Sequence, residues 1–272
     1  LLIQKKTEYK YLSPHIFKDN KFYYMIYCNR KSPKNFYGEI NFAKSKNLKD
    51  WTKVINNRIK PKNNKIYKSY LSPAVLEFKN KVYIFLEGQK DLGSDILCFS
   101  SRKGNKWTKK NLQLKLSKKN DLYQSPFLFK DKNNLLFFYS INKKKIKCLV
   151  LDKNLKKIKL LNCLNASLPN EKFSIYSPSI FEHKKNYYMF YAAWKNNKVG
   201  NINIAVSKDL NYWEKIRQNI FITKNPTTII SEPFLIKENN KIHIFFEYKN
   251  DALWNIGSKV LSIQSFENLI GC

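Results

Sequence analysis

The chain has 272 residues, of which 43% are hydrophobic, and this is enough to bury a sizeable core in one domain. No run of about 18 apolar residues occurs, so we expect no membrane span. The formal net charge is +31, but nearly all of the basic residues are Lys, whereas base and phosphate readout usually depends on Arg. This composition disfavours a nucleic-acid partner and favours an anionic ligand or surface.

The repeat begins with an apolar phrase that contains Pro and recurs five times, about 55 residues apart. Four copies begin with Ser-Pro and the last with Glu-Pro. The copies start at Ser13, Ser72, Ser125, Ser177 and Glu232. An internal repeat of this length is typical of propellers, in which each copy is one unit packed against its neighbours.

Each copy also predicts the same series of strands. In the first copy a polar turn at 18–21 separates the Ser-Pro strand from an aromatic strand at 22–27, and strands at 39–43 and from residue 51 follow. Four antiparallel strands in about 50 residues make one propeller blade. We therefore predict an all-β fold, a single five-bladed β-propeller over 1–272 with four-stranded antiparallel blades around a central axis. Residues 1–9 are predicted to pair with the fifth blade and close the ring.

The cysteines and the chemical motifs argue against bound groups. The five cysteines lack CxxC spacing, and Cys28, Cys98 and Cys148 lie in apolar strand-like runs, where reduced thiols pack as small hydrophobes. This mildly favours a cytoplasmic setting. Neither a metal-ligand cluster nor a Gly-rich phosphate loop occurs in the sequence, so we predict no metal and no cofactor. The first residues have neither Met nor a signal-peptide layout, which leaves room for an additional domain outside this segment.

The strand phrases resemble those of the five-bladed propeller glycoside hydrolase superfamily, which includes arabinanases, xylosidases, fructosidases and mannoside phosphorylases. The resemblance rests on the polar or acidic residue before Pro, on the aromatic strand at 22–27, and on the phrase Ser-Lys-Asp-Leu-Asn-Tyr-Trp at 207–213, with a similar phrase at 43–51. It covers nearly the whole chain and implies the fold and a carbohydrate-active function.

One departure from the superfamily concerns catalysis. The resemblance implies carboxylates at the inner ends of the first strands of blades one, three and four, because glycoside cleavage uses one acid and one base or nucleophile. In this chain those positions are Ser13, Ser125 and Ser177. A serine hydroxyl cannot replace a carboxylate in these roles. The chain therefore resembles an atypical member that lacks the usual catalytic carboxylates.

Three other carboxylates are predicted to converge at the mouth of the propeller. The mouth collects residues at the start of each first strand and at the end of each second strand, which brings together Glu87, Glu232 and Glu247. Glu232 and Glu247 lie on paired strands of one hairpin, where close like charges would raise one pKa and leave an acid beside a base. We predict that these three residues are catalytic. The alternative is that each pairs with a Lys or Arg and only orders the rim.

The predicted substrate-binding residues surround the same mouth. Arg30 is interpreted as a grip for a carboxylate or phosphate, with a structural ion pair as the alternative. Trp194 offers an aromatic face for a sugar ring. His15, two residues after the first Ser of the repeat, is a candidate base or metal ligand, or else a hydrogen-bonded histidine of the central tunnel. The Ser residues of the repeat complete the set: Ser13, Ser72, Ser125 and Ser177.

Two functional hypotheses follow from the sequence. In the first, the protein acts on or transfers a glycosyl group of a glycan or glycoconjugate, with the basic charge favouring an anionic one. In the second, it is a catalytically inactive glycan-binding or scaffolding module attached to another enzyme domain. The serine replacements favour the second hypothesis, and the polar mouth favours the first.

Overall fold

The computed structural model describes residues 9–31, 37–61, 66–102, 104, 106–111, 114, 116, 120–131, 134–221, 229–250 and 253–271. In these ranges the regular structure is almost entirely β, with nineteen strands, one short α-helix and one 3-10 turn. The prediction of an all-β fold is therefore confirmed. No helix in the described ranges has the length and apolar character that a membrane crossing requires.

The first twelve strands form three antiparallel sheets of four strands, each following chain order. The first sheet contains β1 (Tyr9–Lys18), β2 (Tyr23–Lys31), β3 (Gly38–Ser45) and β4 (Thr52–Ile59). The second contains β5 (Ser69–Phe78), β6 (Lys81–Gln89), β7 (Ser94–Ser101) and β8 (Thr108–Lys110). The third contains β9 (Tyr123–Asp131), β10 (Asn134–Ile141), β11 (Lys145–Leu151) and β12 (Lys157–Asn165).

The remaining strands form one sheet of seven strands rather than the two four-stranded blades that the sequence predicts. A single parallel pair, Gly200 with Ile229, joins its two antiparallel groups. The first group contains β13 (Ser174–His183), β14 (Asn186–Asn196), β15 (Val199–Ser207) and β16 (Glu214–Arg217). The second contains β17 (Ile229–Glu238), β18 (Lys241–Asn250) and β19 (Leu253–Ser262).

A C-terminal helix, α1 (Ile263–Ile270), follows the last strand and is absent from the sequence prediction. The Ser262 hydroxyl accepts a hydrogen bond from the Ser265 backbone N–H at its start, and Gly271 ends it with a φ of 77°. Phe266 is fully buried in this helix and packs against Phe181 and Tyr188. Packing of Phe266 against the core therefore helps to stabilise a helix that is too short to be stable alone.

A β-bulge interrupts the first strand of each repeat at the residue before Pro. The antiparallel register shifts there in all five hairpins. Pro has no N–H to donate to the ladder, which is why the irregularity falls at this position. The residue before each Pro has positive φ: 54° at Ser13, 43° at Ser72, 49° at Ser125, 52° at Ser177 and 49° at Glu232. The sequence suggests that each repeat phrase begins its strand. In the structure the phrase instead lies inside the strand.

The five bulged strands contact one another in a circuit. β1 contacts β5, β5 contacts β9, β9 contacts β13, β13 contacts β17, and β17 contacts β1. Aromatic side chains pack between neighbouring sheets, as in the pair Phe85 and Phe137, whose ring centroids lie 5.1 Å apart. The buried cysteines Cys28, Cys98, Cys148 and Cys163 are free thiols in this core. Residues 1–8, predicted to close the ring, lie outside the described residues, and Tyr9 pairs with Lys31 within the first sheet.

Candidate functional site

A cavity of about 230 Å³ lies where the five bulged strands meet. Each of β1, β5, β9, β13 and β17 contributes at least one lining residue, so the cavity occupies the centre of the circuit. Seven of the residues predicted from the sequence line it: Ser13, Arg30, Ser72, Glu87, Trp194, Glu232 and Glu247. The fold therefore brings together side chains that are up to 234 residues apart in sequence.

Glu87 and Glu247 occupy equivalent positions in two repeats. Glu87 pairs with Leu71, and Glu247 pairs with Ser231, in each case as the last pair before the bulge. In the other three hairpins the equivalent positions are Cys28, Ser140 and Ala192. Each of the five hairpins therefore has one residue at this position before the bulge, and in two hairpins that residue is a glutamate.

The three carboxyls differ in how firmly they are held. Glu247 accepts a hydrogen bond from the Ser231 hydroxyl at 2.6 Å and another from the Ser13 backbone N–H at 3.3 Å. Both Glu232 oxygens lie 3.5 Å from the Ser72 hydroxyl, and Glu87 accepts from the Gln124 amide at 3.4 Å. Hydrogen bonds to a carboxylate favour its ionised form. Glu247 is therefore the most firmly held of the three carboxyls.

Burial is the main influence on the protonation of these groups. Glu87 and Glu247 have only 2% and 4% of their surface exposed. Burial, assisted by the charge of Glu232, raises the pKa of Glu87 to about 8, and burial raises the pKa of Glu232 to about 7. Burial and the Glu232 charge also raise the pKa of Glu247 well above its usual value. At neutral pH the cluster consequently shares protons, with acid and base forms side by side.

Basic side chains surround the carboxyls on the cavity wall. Arg30 donates to the side-chain oxygen of Gln89 at 3.1 Å, and its charge opposes the rise of the carboxyl pKa values. Lys10 stands directly opposite Arg30 on the paired strand, and Lys143 reaches the cavity from the turn between β10 and β11. The cavity is therefore lined by groups of both charges.

Trp194 belongs to a row of three aromatic rings rather than forming an isolated sugar-stacking face. It stacks on Phe173 with ring centroids 6.2 Å apart and an interplanar angle of 24°. It also stacks on Trp254 at 6.3 Å and 13°. All three residues line the cavity. The row gives the site an apolar wall beside its charged groups, and such a combination is suited to sugar rings.

Three predicted residues are not among those that line this cavity, namely His15, Ser125 and Ser177. His15 is buried against Phe127 and Phe234, and its Nε2 accepts a hydrogen bond from the Val75 backbone N–H at 3.2 Å. Burial lowers the pKa of His15 to about 3, so the ring is neutral at physiological pH. This geometry matches the hydrogen-bonded tunnel histidine that was the alternative interpretation. In the described ranges no three His, Cys, Asp or Glu side chains group closely enough to hold a metal ion.

Sequence reasoning missed several lining residues, among them Lys10, Lys143, Phe173 and Trp254. Lys10 was detectable as the cross-strand neighbour of Arg30, had the strand been extended before the Ser-Pro phrase. Phe173 lies between β12, which ends at Asn165, and β13, which begins at Ser174, in a segment without the alternation that predicts a strand. Lys143 sits in a lysine-rich turn that resembles a solvated rim in sequence.

Comparison with known proteins identifies the fold of the chain but not its activity. The sequence matches no family model and no curated protein. Among solved structures, a thermostable family-43 glycoside hydrolase is 17% identical, with 93% of this chain and 90% of that chain covered and a TM-score of 0.74. The native arabinanase of Bacillus subtilis is 19% identical, with coverages of 94% and 96% and a TM-score of 0.71.

A third similar structure is the β-1,2-mannobiose phosphorylase from Listeria innocua, at 8% identity. The superposition covers 99% of this chain and 95% of the phosphorylase chain, with a TM-score of 0.76. At such identities the likeness is one of fold alone. The chain has the β-propeller fold of glycoside hydrolases and of a glycosyl phosphorylase, which confirms the predicted resemblance at the level of fold.

Proposed function

We propose that this protein is a carbohydrate-active enzyme that cleaves or transfers a glycosyl group in the central cavity. One observation carries the proposal: the buried Glu87 and Glu247 and the half-buried Glu232 line a single cavity together with an aromatic wall. Reaction at a glycosidic centre needs one group that protonates the leaving oxygen and another that activates or replaces the attacking nucleophile. Buried carboxyls with raised pKa values are suited to both roles at neutral pH.

Within the pair on β17 and β18, burial and the repulsion between the two carboxyls let one of them ionise while the other keeps its proton. The ionised carboxylate takes the proton of an attacking hydroxyl or water. The protonated carboxyl gives its proton to the leaving oxygen as the C–O bond breaks. Glu87 adds a third carboxyl that helps the site retain protons.

We also propose that the propeller has five blades within a single domain. The circuit of the five bulged strands supports this count, as does the presence of one bulge in each of the five hairpins. The seven-stranded sheet then consists of two blades, β13–β16 and β17–β19, which meet at the single parallel pair of Gly200 and Ile229.

A second candidate function is that of a glycan-binding module without catalysis. It is supported by Ser13, Ser125 and Ser177, which stand where the family resemblance implies carboxylates. On this interpretation the buried glutamates hydrogen-bond a bound sugar and transfer no proton. The two candidates share a carbohydrate ligand and differ in turnover.

Turnover of a panel of aryl glycosides, oligosaccharides and sugar nucleotides separates the candidates. We expect the parent to turn over at least one member, and Glu232→Gln and Glu247→Gln each to lower kcat by about 100-fold or more, the usual contribution of general acid–base catalysis. Glu182→Gln, an exposed position on β13, is the matched control and should retain parental activity. Parental turnover in both cavity variants contradicts the acid–base roles. Sugar binding by the parent without turnover supports the module.

A further inference from the structure

We infer that Gly200 is a positioning residue of the cavity. Because Gly200 has no side chain, the indole of Trp194 lies against β15 and leaves space for a ligand in front of the row of Phe173, Trp194 and Trp254. Gly200 is not among the residues that line the cavity, so it acts through Trp194. The inference rests on the proposed function in one respect, namely that a sugar lies against this row.

The indole of Trp194 lies flat on Gly200. Trp194 on β14 and Gly200 on β15 are directly paired across the two strands. A Cβ atom on Gly200 would lie 2.8 Å from both Cδ1 and Nε1 of Trp194 and 3.0 Å from its Cε2. These are consecutive atoms of the pyrrole ring, and their nearly equal distances place its face, not its edge, over the glycine. Since carbon atoms in contact are about 3.5–4.0 Å apart, any side chain at residue 200 would overlap the indole.

The backbone conformation does not explain why residue 200 is a glycine. The described glycines with positive φ are Gly93, Gly104 and Gly271, and Gly200 is not one of them. A glycine inside a strand has an entropic cost and often marks the close approach of another group. Because an alanine would fit this backbone, the close approach of Trp194 is what excludes a side chain here.

The indole has little freedom to move away from Gly200. Phe173 and Trp254 stack on it at interplanar angles of 24° and 13°, and the ring of Tyr176 lies 6.1 Å away at 55°. All three neighbours line the cavity, which has a volume of only about 230 Å³. An indole displaced by a side chain at residue 200 would therefore disturb these rings or enter the space that a ligand needs.

A second strand glycine provides a comparison within the same molecule. Gly257 on β19 pairs directly with Phe246 on β18, and a Cβ atom there would lie 2.9 Å from Cε2 of Phe246. Phe246 is not among the residues that line the cavity, and it packs on Phe221 with ring centroids 4.7 Å apart. Both glycines thus lie under an aromatic ring, but only Gly200 lies under a ring of the cavity wall. Alanine at each position separates an effect on the fold from an effect on the ligand.

A double-mutant cycle of thermal unfolding tests the contact without a ligand. Gly200→Ala should lower Tm by roughly 2–8 °C, because it overpacks the site. In a Trp194→Ala background the same substitution should leave Tm unchanged or raise it, since the ring is gone and alanine suits a strand better than glycine. An equal loss of Tm in both backgrounds would overturn the inference, and so would failure of Gly200→Ala to fold in both.

Calorimetric titration measures the consequence for the ligand. The probes are β-1,2-mannobiose, arabinotriose and methyl xyloside. For a probe that the parent binds, Gly200→Ala should weaken the affinity by about tenfold through loss of ring stacking and of space. Gly257→Ala should bind within about twofold of the parent. Equal weakening in the two variants would assign the effect to the fold and overturn the inference, as would parental affinity in a folded Gly200→Ala variant.

The two measurements separate this inference from the proposed function. If the parent binds none of the probes, the proposed function loses its support, whereas the double-mutant cycle still decides whether Gly200 positions Trp194. If sugar binding depends on Gly200 while Glu232→Gln and Glu247→Gln leave turnover unchanged, the catalytic roles fail and the positioning role stands.

Discussion

At the scale of single residues, Glu87 is a carboxyl whose burial opposes its ionisation in the folded protein. Its pKa rises from an ordinary value of 4.5 to about 8, chiefly because of burial. Below pH 4.5 the group is protonated in both the folded and the unfolded state, so its ionisation does not lower the free energy of unfolding. As the pH rises toward 8, the unfolded state loses its proton while the folded state retains it, and the free energy of unfolding falls.

Glu87→Gln should remove this dependence on pH. We expect the free energy of unfolding of the parent to fall between pH 5 and 8 by a few kcal/mol more than that of the variant, since about 1.4 kcal/mol corresponds to each unit of pKa difference. Urea titrations at several pH values measure this difference. Glu182→Gln should retain the parental slope. If the free energy of unfolding changed with pH in parallel for the parent and Glu87→Gln, Glu87 would ionise as readily in the folded state as in the unfolded state.

The candidate site could be predicted only in part from single residues. Glu232 and Glu247 were found because they lie on adjacent strands of one hairpin, so that local pairing places them together. Lys143 and Phe173 were missed because a turn and a connector bring them to the cavity, and neither segment has a periodicity that reports where it packs. Only the three-dimensional contacts of these segments identify them as lining residues.

At the scale of elements, the bulge before each Pro keeps a side-chain-bearing residue in a left-handed conformation. Ser177 has a φ of 52° and does not line the cavity, so it isolates the backbone effect from ligand binding. Ser177→Val should lower the free energy of unfolding by about 1–3 kcal/mol, because a β-branched residue fits this region poorly. Ser177→Gly should leave stability nearly unchanged, since Gly adopts positive φ freely.

Chemical denaturation of the two Ser177 variants measures this effect. Glu182→Val, at an exposed position on the same strand, controls for the introduction of Val itself. If Ser177→Val were as stable as Ser177→Gly, the left-handed conformation at the bulge would not be a constraint on the sequence.

A buried ion pair anchors the segment that carries Phe173. In the 3-10 turn at Pro169–Glu171, the fully buried Glu171 carboxylate accepts from Lys215 at 2.6 Å and from the Tyr191 hydroxyl at 2.7 Å. Glu171→Gln should lower the free energy of unfolding by about 3–5 kcal/mol, because it leaves a buried cation without its partner.

The comparison for Glu171→Gln is a variant of an exposed ion pair. Asp91→Asn breaks the pair of Asp91 with Lys68 and should change stability by about 1 kcal/mol or less, because solvent screens the two charges. Urea unfolding measures both. Equal effects of the two substitutions would contradict a special contribution from burial at Glu171.

At the scale of the whole molecule, a net charge of +31 should oppose compactness through self-repulsion. Raising sodium chloride from about 0.02 to 0.3 M shortens the screening length from roughly 20 Å to roughly 6 Å. We therefore expect Tm to rise with salt in differential scanning calorimetry. Potassium chloride should give the same curve, because screening depends on ionic strength. A Tm that falls with salt would show that favourable ion pairs outweigh the repulsion.

The overall architecture was more accessible from the sequence than the details of its elements. The Ser-Pro and Glu-Pro repeat, together with the aromatic strands, predicts an all-β repeat fold because each copy must bury an apolar face against the next. Helix α1 escaped prediction, since its eight residues make only about two turns and follow β19 without a break. The joining of β13–β16 with β17–β19 into one sheet depends on a single backbone pair, which no side-chain pattern specifies.

We propose that the cavity glutamates share protons near neutral pH and use them on a glycosyl group. The most direct test is the pH dependence of kcat/KM for a glycoside that the parent turns over. We expect a bell-shaped profile with both limbs between about pH 6 and 9, because acid and base forms must coexist. A profile that is flat from about pH 5 to 9 in the parent would show that these glutamates do not act as acid and base in turnover.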